Sequence, residues 1–280
     1  MSDLSRAEVV EHLKQLPALP STVSELLLSF DDENVDVGRI AHQIACDQGL
    51  SARVLRVANS SFYGLRSRIA TLNEAVAILG FRAVRSMVVA LGISGAFKPE
   101  RCPGFDLRVY TRHSVAVGLA AQALAKAVRQ NAELAFTGGV LHDIGKLVLA
   151  SCFAPQYAEV LTYRAHHDCP MAVAERDVLG MDHAAVGGLL AQAWNFPLSL
   201  YSAVAEHHEP SAATANSLAD LIHMADAIAH ALGVADPGND LVMPVDRVAW
   251  NRLGLDGAKI GEVLPQVLAG MDEACLAFTA

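Results

Sequence analysis

Apolar residues, above all alanine and leucine, recur along this chain at three- and four-residue spacing, while alternating apolar and polar runs are almost absent. The pattern predicts helices throughout and an all-α fold. Ser5-x-x-Glu8 has the reciprocal capping arrangement in which hydroxyl and carboxylate each satisfy an orphan backbone N–H. Thr22-x-x-Glu25, following Pro17 and Pro20, predicts a second start of this kind. Thr71-x-x-Glu74 predicts a third, closed by Gly80, since glycine reaches the left-handed terminal conformation without steric cost. Residues 81–96 read as a further apolar helix. Periodicity then breaks over Lys98–Phe105, the expected seam between an N-terminal helical bundle (1–97) and a second bundle (98–235). Helices are expected in the second bundle near 107–129, 132–150, 155–167, 170–177, 183–193, 198–207 and 215–232. A loop at Asp236–Asp240 leads into a polar C-terminal tail (236–280) with a last helix near 258–277. Whether that tail covers a site, meets another subunit or packs on the surface is left open by the pattern.

Composition narrows the class. Of 280 residues, 52% are hydrophobic and 18% charged, enough apolar surface for one large core or two packed subdomains. No apolar run reaches the ~18 residues of a membrane span, and the polar, amphipathic start lacks a signal peptide's layout. Five scattered cysteines suit reduced thiols and a cytoplasmic setting. A net charge of -9 argues against direct DNA binding. No glycine-rich phosphate loop or serine-nucleophile elbow is present, which sets aside nucleotide kinases and α/β-hydrolases.

The candidate chemistry centres on His142-Asp143 within Leu141-His-Asp-Ile-Gly-Lys146. His113, His183, His207, His208 and Asp226 lie in segments that also read as helical. Imidazole nitrogen with carboxylate oxygen suits metals of intermediate hardness, and no cysteine accompanies them to make a thiolate zinc site. Side chains on adjacent helical residues diverge by about a hundred degrees, so His207-His208 suits two ions better than one. Other residues read more plainly. His42 and His230 are expected to be hydrogen-bonded core histidines, and His166 and His167 to face solvent. His223 is expected to make a structural hydrogen bond, with orientation of Asp226 the alternative. Cys152 and Cys169 read as buried small hydrophobes, Trp194 as a core anchor beneath the His183 helix, and Tyr63 as packing at the junction. Asn59 is expected to satisfy backbone groups at a helix end.

Arg53, Arg56, Arg66, Arg68, Arg82 and Arg85 occur in a stretch whose one acid is Glu74. The three-apart pairs Arg53/Arg56 and Arg82/Arg85 can contribute to a basic face for an acidic signalling partner or a phosphate-bearing ligand. Internal pairing with Asp31, Asp32, Glu33 or Asp47 is the competing expectation, and the favoured one.

Several blocks carry a family resemblance. Leu16-Pro-Ala-Leu-Pro20, Leu55-Arg-Val-Ala-Asn-Ser-Ser-Phe-Tyr-Gly64, Ala75-Val-Ala-Ile-Leu-Gly80, Gly138-Gly-Val-Leu-His-Asp-Ile-Gly-Lys146, Trp194-Asn-Phe-Pro197 and Glu206-His-His-Glu-Pro210 together resemble the HDOD (HD-related output domain) branch of the HD superfamily of metal-dependent phosphohydrolases. The resemblance runs from about residue 10 to 235. It implies an all-helical fold and a regulatory, signal-transducing role, often without hydrolysis because many members lack ligands. This chain keeps a nearly full set: His113, His142, Asp143, His183, His207, His208 and Asp226. His207-His208-Glu209 is also similar to the HD-GYP phosphodiesterases, but Pro210-Ser-Ala-Ala stands where their substrate-recognition loop continues. The resemblance implies two divalent ions, iron or manganese favoured and nickel, cobalt or zinc compatible, with Asp143 as bridge and Lys146 stabilising phosphate charge. Two readings follow: a regulatory protein braced by its metal, or a phosphohydrolase acting on a nucleotide, cyclic dinucleotide or phosphomonoester.

Overall fold

The computed structural model describes residues 4–31, 36–60, 63, 65, 67–210, 217–234, 241 and 244–279, and among them every regular element is helical. Arg66, Asp32, Glu33, the 236–240 loop and Ser211–Ala213 lie outside the described residues. Ser5 caps α1 (Arg6–Leu13) with both halves of the capping box formed. Helix α2 (Ser21–Leu28) departs from expectation: Pro20 precedes it, and Thr22 lies inside the first turn rather than at its cap. Glu25 instead reaches across to Arg39 of α3 (Val37–Cys46). Asn59 ends α4 (Gln48–Ala58) and ties the chain by exchanging hydrogen bonds with the Ile69 backbone. Thr71 caps α5 (Leu72–Leu79), and Gly80, at φ 85°, closes that helix and opens α6 (Phe81–Ser94).

The second half is built round α7 (Leu107–Ala127), a spine against which α8 (Ala132–Leu141) runs. The single helix expected over 132–150 is broken. Its second part is α9 (Ile144–Cys152), and His142-Asp143 forms the corner. His142 Nδ1 lies 2.7 Å from the Gly139 carbonyl, the acceptor that residue 143 would use in an unbroken helix. Then follow α10 (Ala154–His167), α11 (Met171–Leu179), α12 (His183–Ala193), α13 (Leu198–Ala205) and α14 (Ser217–Leu232). In the tail, α15 (Arg247–Arg252) is a helix that the polar pattern did not predict. Six residues are too few to show a period, and it is held from outside by Arg252 on buried Asp220 at 2.5 Å. The last helix, α16 (Gly257–Thr279), lies across α7 and α4.

Buried apolar residues form one continuous cluster through both halves. Although α1 is N-terminal, it packs on α12, and the Leu4 amide donates to Leu179 O at 2.7 Å. Trp194, half-buried at the end of the His183 helix α12, packs against the core, and its ring lies 5.8 Å from Phe97 after α6, which fastens the two halves together. His42 is exposed, contrary to the expected core position, and His166 and His167 are exposed. Cys152 and Cys169 are half-buried.

The arginine face is also altered. Arg85 is buried, donates to Ser29 O at 2.6 Å and lies over the Phe30 ring at 4.0 Å, so it cannot share an exposed face with Arg82. Its partners among the described residues are the Ser29 carbonyl and hydroxyl and an aromatic face. Arg53 is half-buried, while Arg56, Arg68 and Arg82 are exposed.

Close helix approach depends on glycine. A Cβ on Gly139 would lie 2.6 Å from Gly118 Cα, so α7 and α8 touch backbone to backbone. One on Gly145 would lie 1.9 Å from His183 O, a distance no side chain can occupy. Gly145→Ala therefore has to push α9 off α12, an overpacking cost of about 3 kcal/mol or more. At roughly 2–4 °C per kcal/mol for a chain near this size, thermal unfolding should show Tm lowered by about 6 °C or more. Gly257→Ala, with nothing within 4 Å of the added methyl, should leave Tm almost unchanged.

Candidate metal centre

Five helical segments bring the sequence-predicted donors to one buried point. The Gly118–Gly139 contact sets His113 of α7 beside His142 at the end of α8, with ring centroids 5.3 Å apart. Gly145 seats the His183 backbone against α9, which places His183 Nε2 2.9 Å from Asp143 Oδ1. His207 and His208 follow α13, and Asp226 projects from α14. All seven predicted ligands therefore fall in one cluster, and His142, Asp143, His183 and His207 have almost no exposed surface.

The Asp143 carboxylate lies between two groups of imidazoles. Its Oδ1 faces His183 Nε2 at 2.9 Å and His207 Nε2 at 3.7 Å. Its Oδ2 faces His142 Nε2 at 3.4 Å and His113 Nε2 at 3.5 Å. Asp226 Oδ1 adds a second acid, 3.0 Å from His113 Nε2 and 3.7 Å from His142 Nε2. His183, His207 and His208 form one group of donor atoms mutually within 4.8 Å, and His113, His142 and Asp143 form another.

The outer nitrogens of three rings decide what the inner ones carry. His142 Nδ1 faces Gly139 O, His207 Nδ1 faces Val204 O at 2.9 Å, and His183 Nδ1 faces Glu175 Oε2 at 2.5 Å. Carbonyl and carboxylate oxygens only accept, so each Nδ1 bears the proton, and each ring in its neutral form directs an Nε2 lone pair inward. Lone pairs and carboxylate oxygens then face one another, and Nε2 of His113, His142, His183 and His207 has no hydrogen-bond partner, nor do Asp143 Oδ1 and Asp226 Oδ1. A buried set of acceptors turned on one another is costly unless a cation lies among them. This donor set fits divalent metal of intermediate hardness.

Electrostatics agree with that chemistry. Burial would raise the Asp143 carboxyl, but His142, Lys146 and His183 hold it well below the usual carboxylate range. Burial acts the same way on Asp226, and His113 and His230 overcome it. Burial lowers His113, His207 and His208, aided in the last two by neighbouring imidazoles, so these rings stay neutral and able to ligate. His183 differs: burial opposes its charge, but Glu175 and Asp143 push it up to about 9.

Two residues escaped the sequence reading. Glu175, fully buried on α11, accepts from the His183 backbone and the Tyr157 hydroxyl as well as from the His183 ring. It lies eight positions before His183, with no local signal. His230, expected to be a core histidine, has Nε2 3.4 Å from Asp226 Oδ1 and its ring 4.6 Å from His113. The i,i+4 spacing from Asp226 was the available clue. His223 makes the expected structural bond, with Nδ1 on His207 O at 2.8 Å, and its Nε2 accepts from the Asp246 amide. Lys146 lies 2.5 Å from Asp143 Oδ2. A cleft of about 330 Å³ opens on the cluster, lined by Lys146, Arg164, Tyr110, Phe105, Met171 and Leu241 besides the donors.

A helical bundle gathering histidines and paired acids beneath a small cleft defines an HD-type protein. The chain belongs to the HDOD family, whose domain model matches residues 16–210. A protein of Treponema pallidum (strain Nichols) with no described function is 25% identical over 204 residues, 72% of this chain, and this chain spans only 39% of that relative's length. A provisionally assigned phosphohydrolase from Shewanella amazonensis SB2B superposes with a TM-score of 0.75 at 28% identity, covering 96% of each chain. A provisionally assigned signal transduction protein from Marinobacter aquaeolei VT8 shares the fold at TM-score 0.80 and 23% identity, over 99% of this chain and 62% of that one. Among the described residues no helix is long and apolar enough to cross a membrane.

Glu175→Gln keeps size and hydrogen bonding but removes the charge behind His183. Metal affinity should fall about 10–100-fold, as for other outer partners of histidine ligands, with helical circular dichroism unchanged. In the metal-free chain, NMR should show His183 titrating below about 9.

Proposed function

We propose that this chain is a cytoplasmic HDOD signalling protein whose second half holds two divalent ions, iron or manganese favoured. Nickel, cobalt or zinc would also suit the donors. His183, His207 and His208 with Asp143 Oδ1 would hold one ion; His113, His142 and Asp226 with Asp143 Oδ2 would hold the other. The observation carrying this reading is the position of Asp143, with each carboxylate oxygen turned to a separate imidazole group. Five free cysteines accord with a reducing compartment. Partner capture would use the exposed Arg56 and Arg82, with Arg53 half-buried nearby.

A second reading, hydrolysis of a nucleotide, cyclic dinucleotide or phosphomonoester, is favoured by the cleft that reaches the donors with Lys146 and Arg164 in its wall. When bound, two divalent ions supply Lewis-acid polarisation of water and of a phosphoryl oxygen. Asp143 would orient both ligand groups. Lys146, charged because Asp143 and Glu175 outweigh its burial, would stabilise negative charge growing on the phosphate. Tyr110, Phe105 and Met171 would give the ester an apolar wall and exclude water. The similarity to a provisionally assigned phosphohydrolase supports this reading, and the similarity to a provisionally assigned signalling protein supports the first.

Elemental analysis after Mn²⁺ or Fe²⁺ reconstitution should find about two ions per chain, and Asp143→Ala should lose both. A wild-type chain that takes up no metal overturns the proposal. Phosphate release from a nucleotide panel separates the two readings. Turnover lost in Asp143→Ala, and cut roughly 100-fold in a metal-loaded Lys146→Met, supports the hydrolase. A loaded but inert chain supports the regulator.

A further inference from the structure

His230 lies outside the family match, which ends at residue 210, and outside the predicted ligand set. Yet α14 brings it to the same acid as two other imidazoles. Four residues after Asp226, it occupies the same helix face one turn on. Asp226 Oδ1 has His113 Nε2 at 3.0 Å, His230 Nε2 at 3.4 Å and His142 Nε2 at 3.7 Å. His113, Asp226 and His230 offer donor atoms mutually within 4.8 Å, a grouping separate from the one that joins His113 to His142 and Asp143.

Those two groupings share His113, and one imidazole nitrogen has one lone pair. His113 can therefore serve one ion, so the two sets of donors around it belong to a single ion rather than to two. His230 is also the most exposed imidazole of the cluster, its side chain 20% accessible against 16% for His208 and 8% for His113, and it lines the cleft. We propose that His230 is a further ligand of the ion held by His113, His142 and Asp226, placed on the side where that ion meets the cleft. This rests on the two-ion reading above and adds to it the residue that an incoming phosphate ester meets first. Helix α14 then carries two donors, Asp226 buried and His230 at the entrance.

The test uses the full chain loaded with Zn²⁺, which is diamagnetic, and long-range ¹H–¹⁵N spectra that report the state of each imidazole nitrogen. His230→Gln assigns the His230 signals by their loss, and circular dichroism checks that the helices persist. The expected result is that the lost Nε2 signal is that of a metal-bound nitrogen. Chelator competition should then show one of the two ions leaving about tenfold more readily in His230→Gln, the other unchanged. A His230 ring that reads as metal-free in a chain holding two zinc ions overturns this inference alone and leaves the two-ion reading standing. A chain that holds no zinc overturns both. Should His230→Gln weaken both ions equally, His230 is a structural support of the bundle and the inference also fails.

Discussion

A carboxylate buried between facing imidazoles is the constraint on which the rest of this molecule depends. Taking Asp143 out of water costs on the order of several kcal/mol even after the protein relaxes. Opposite charge on Lys146 and on His183 returns part of that cost. The remaining donors have only one another to face. The helices that bring them together do not relieve this repulsion but maintain it, an arrangement that a bound cation would offset.

Maintaining it requires helix axes closer than ordinary side chains allow. The contacts of Gly118 with Gly139 and of Gly145 with the His183 backbone each stand one turn or less from a donor. The same two approaches that exclude a Cβ therefore set the spacing of the site. The corner at His142-Asp143 serves the same end, because a straight helix would turn successive side chains about a hundred degrees apart. Ending α8 and starting α9 at that dipeptide lets both residues reach the same centre, and the His142 ring uses the carbonyl that the corner frees.

Around this core lies a second tier that holds the donors in orientation. Glu175 anchors His183 by ring and backbone, and Tyr157 in turn donates to Glu175. His223 links the His207 carbonyl to the Asp246 amide, so the tail before α15 is tied to the turn that carries two of the candidate donors. Arg252 on Asp220 closes the same connection one turn away. The tail thus braces the turn that carries His207 and His208, and contributes Leu241 to the cleft wall.

Much of this was legible in residues read one after another. Helical periodicity, the Ser5 and Thr71 caps and the glycine stop at Gly80 are local properties, decided within one or two turns, and the spaced His and Asp blocks marked the family. What the chain order could not decide was anything set by contact between distant segments. The helix break at 142–143, the burial of Arg85 against Ser29 and Phe30, the exposure of His42, and α15 held by Asp220 all depend on neighbours far away in sequence. So do Glu175 and His230, whose residue types are commonplace until packing brings one behind His183 and the other beside Asp226. Residue identity and spacing determined which donors the chain possesses; only backbone contact between glycine-faced helices decided which of them share a centre, because imidazole and carboxylate act on a cation over a few ångströms and sequence separation carries no such distance.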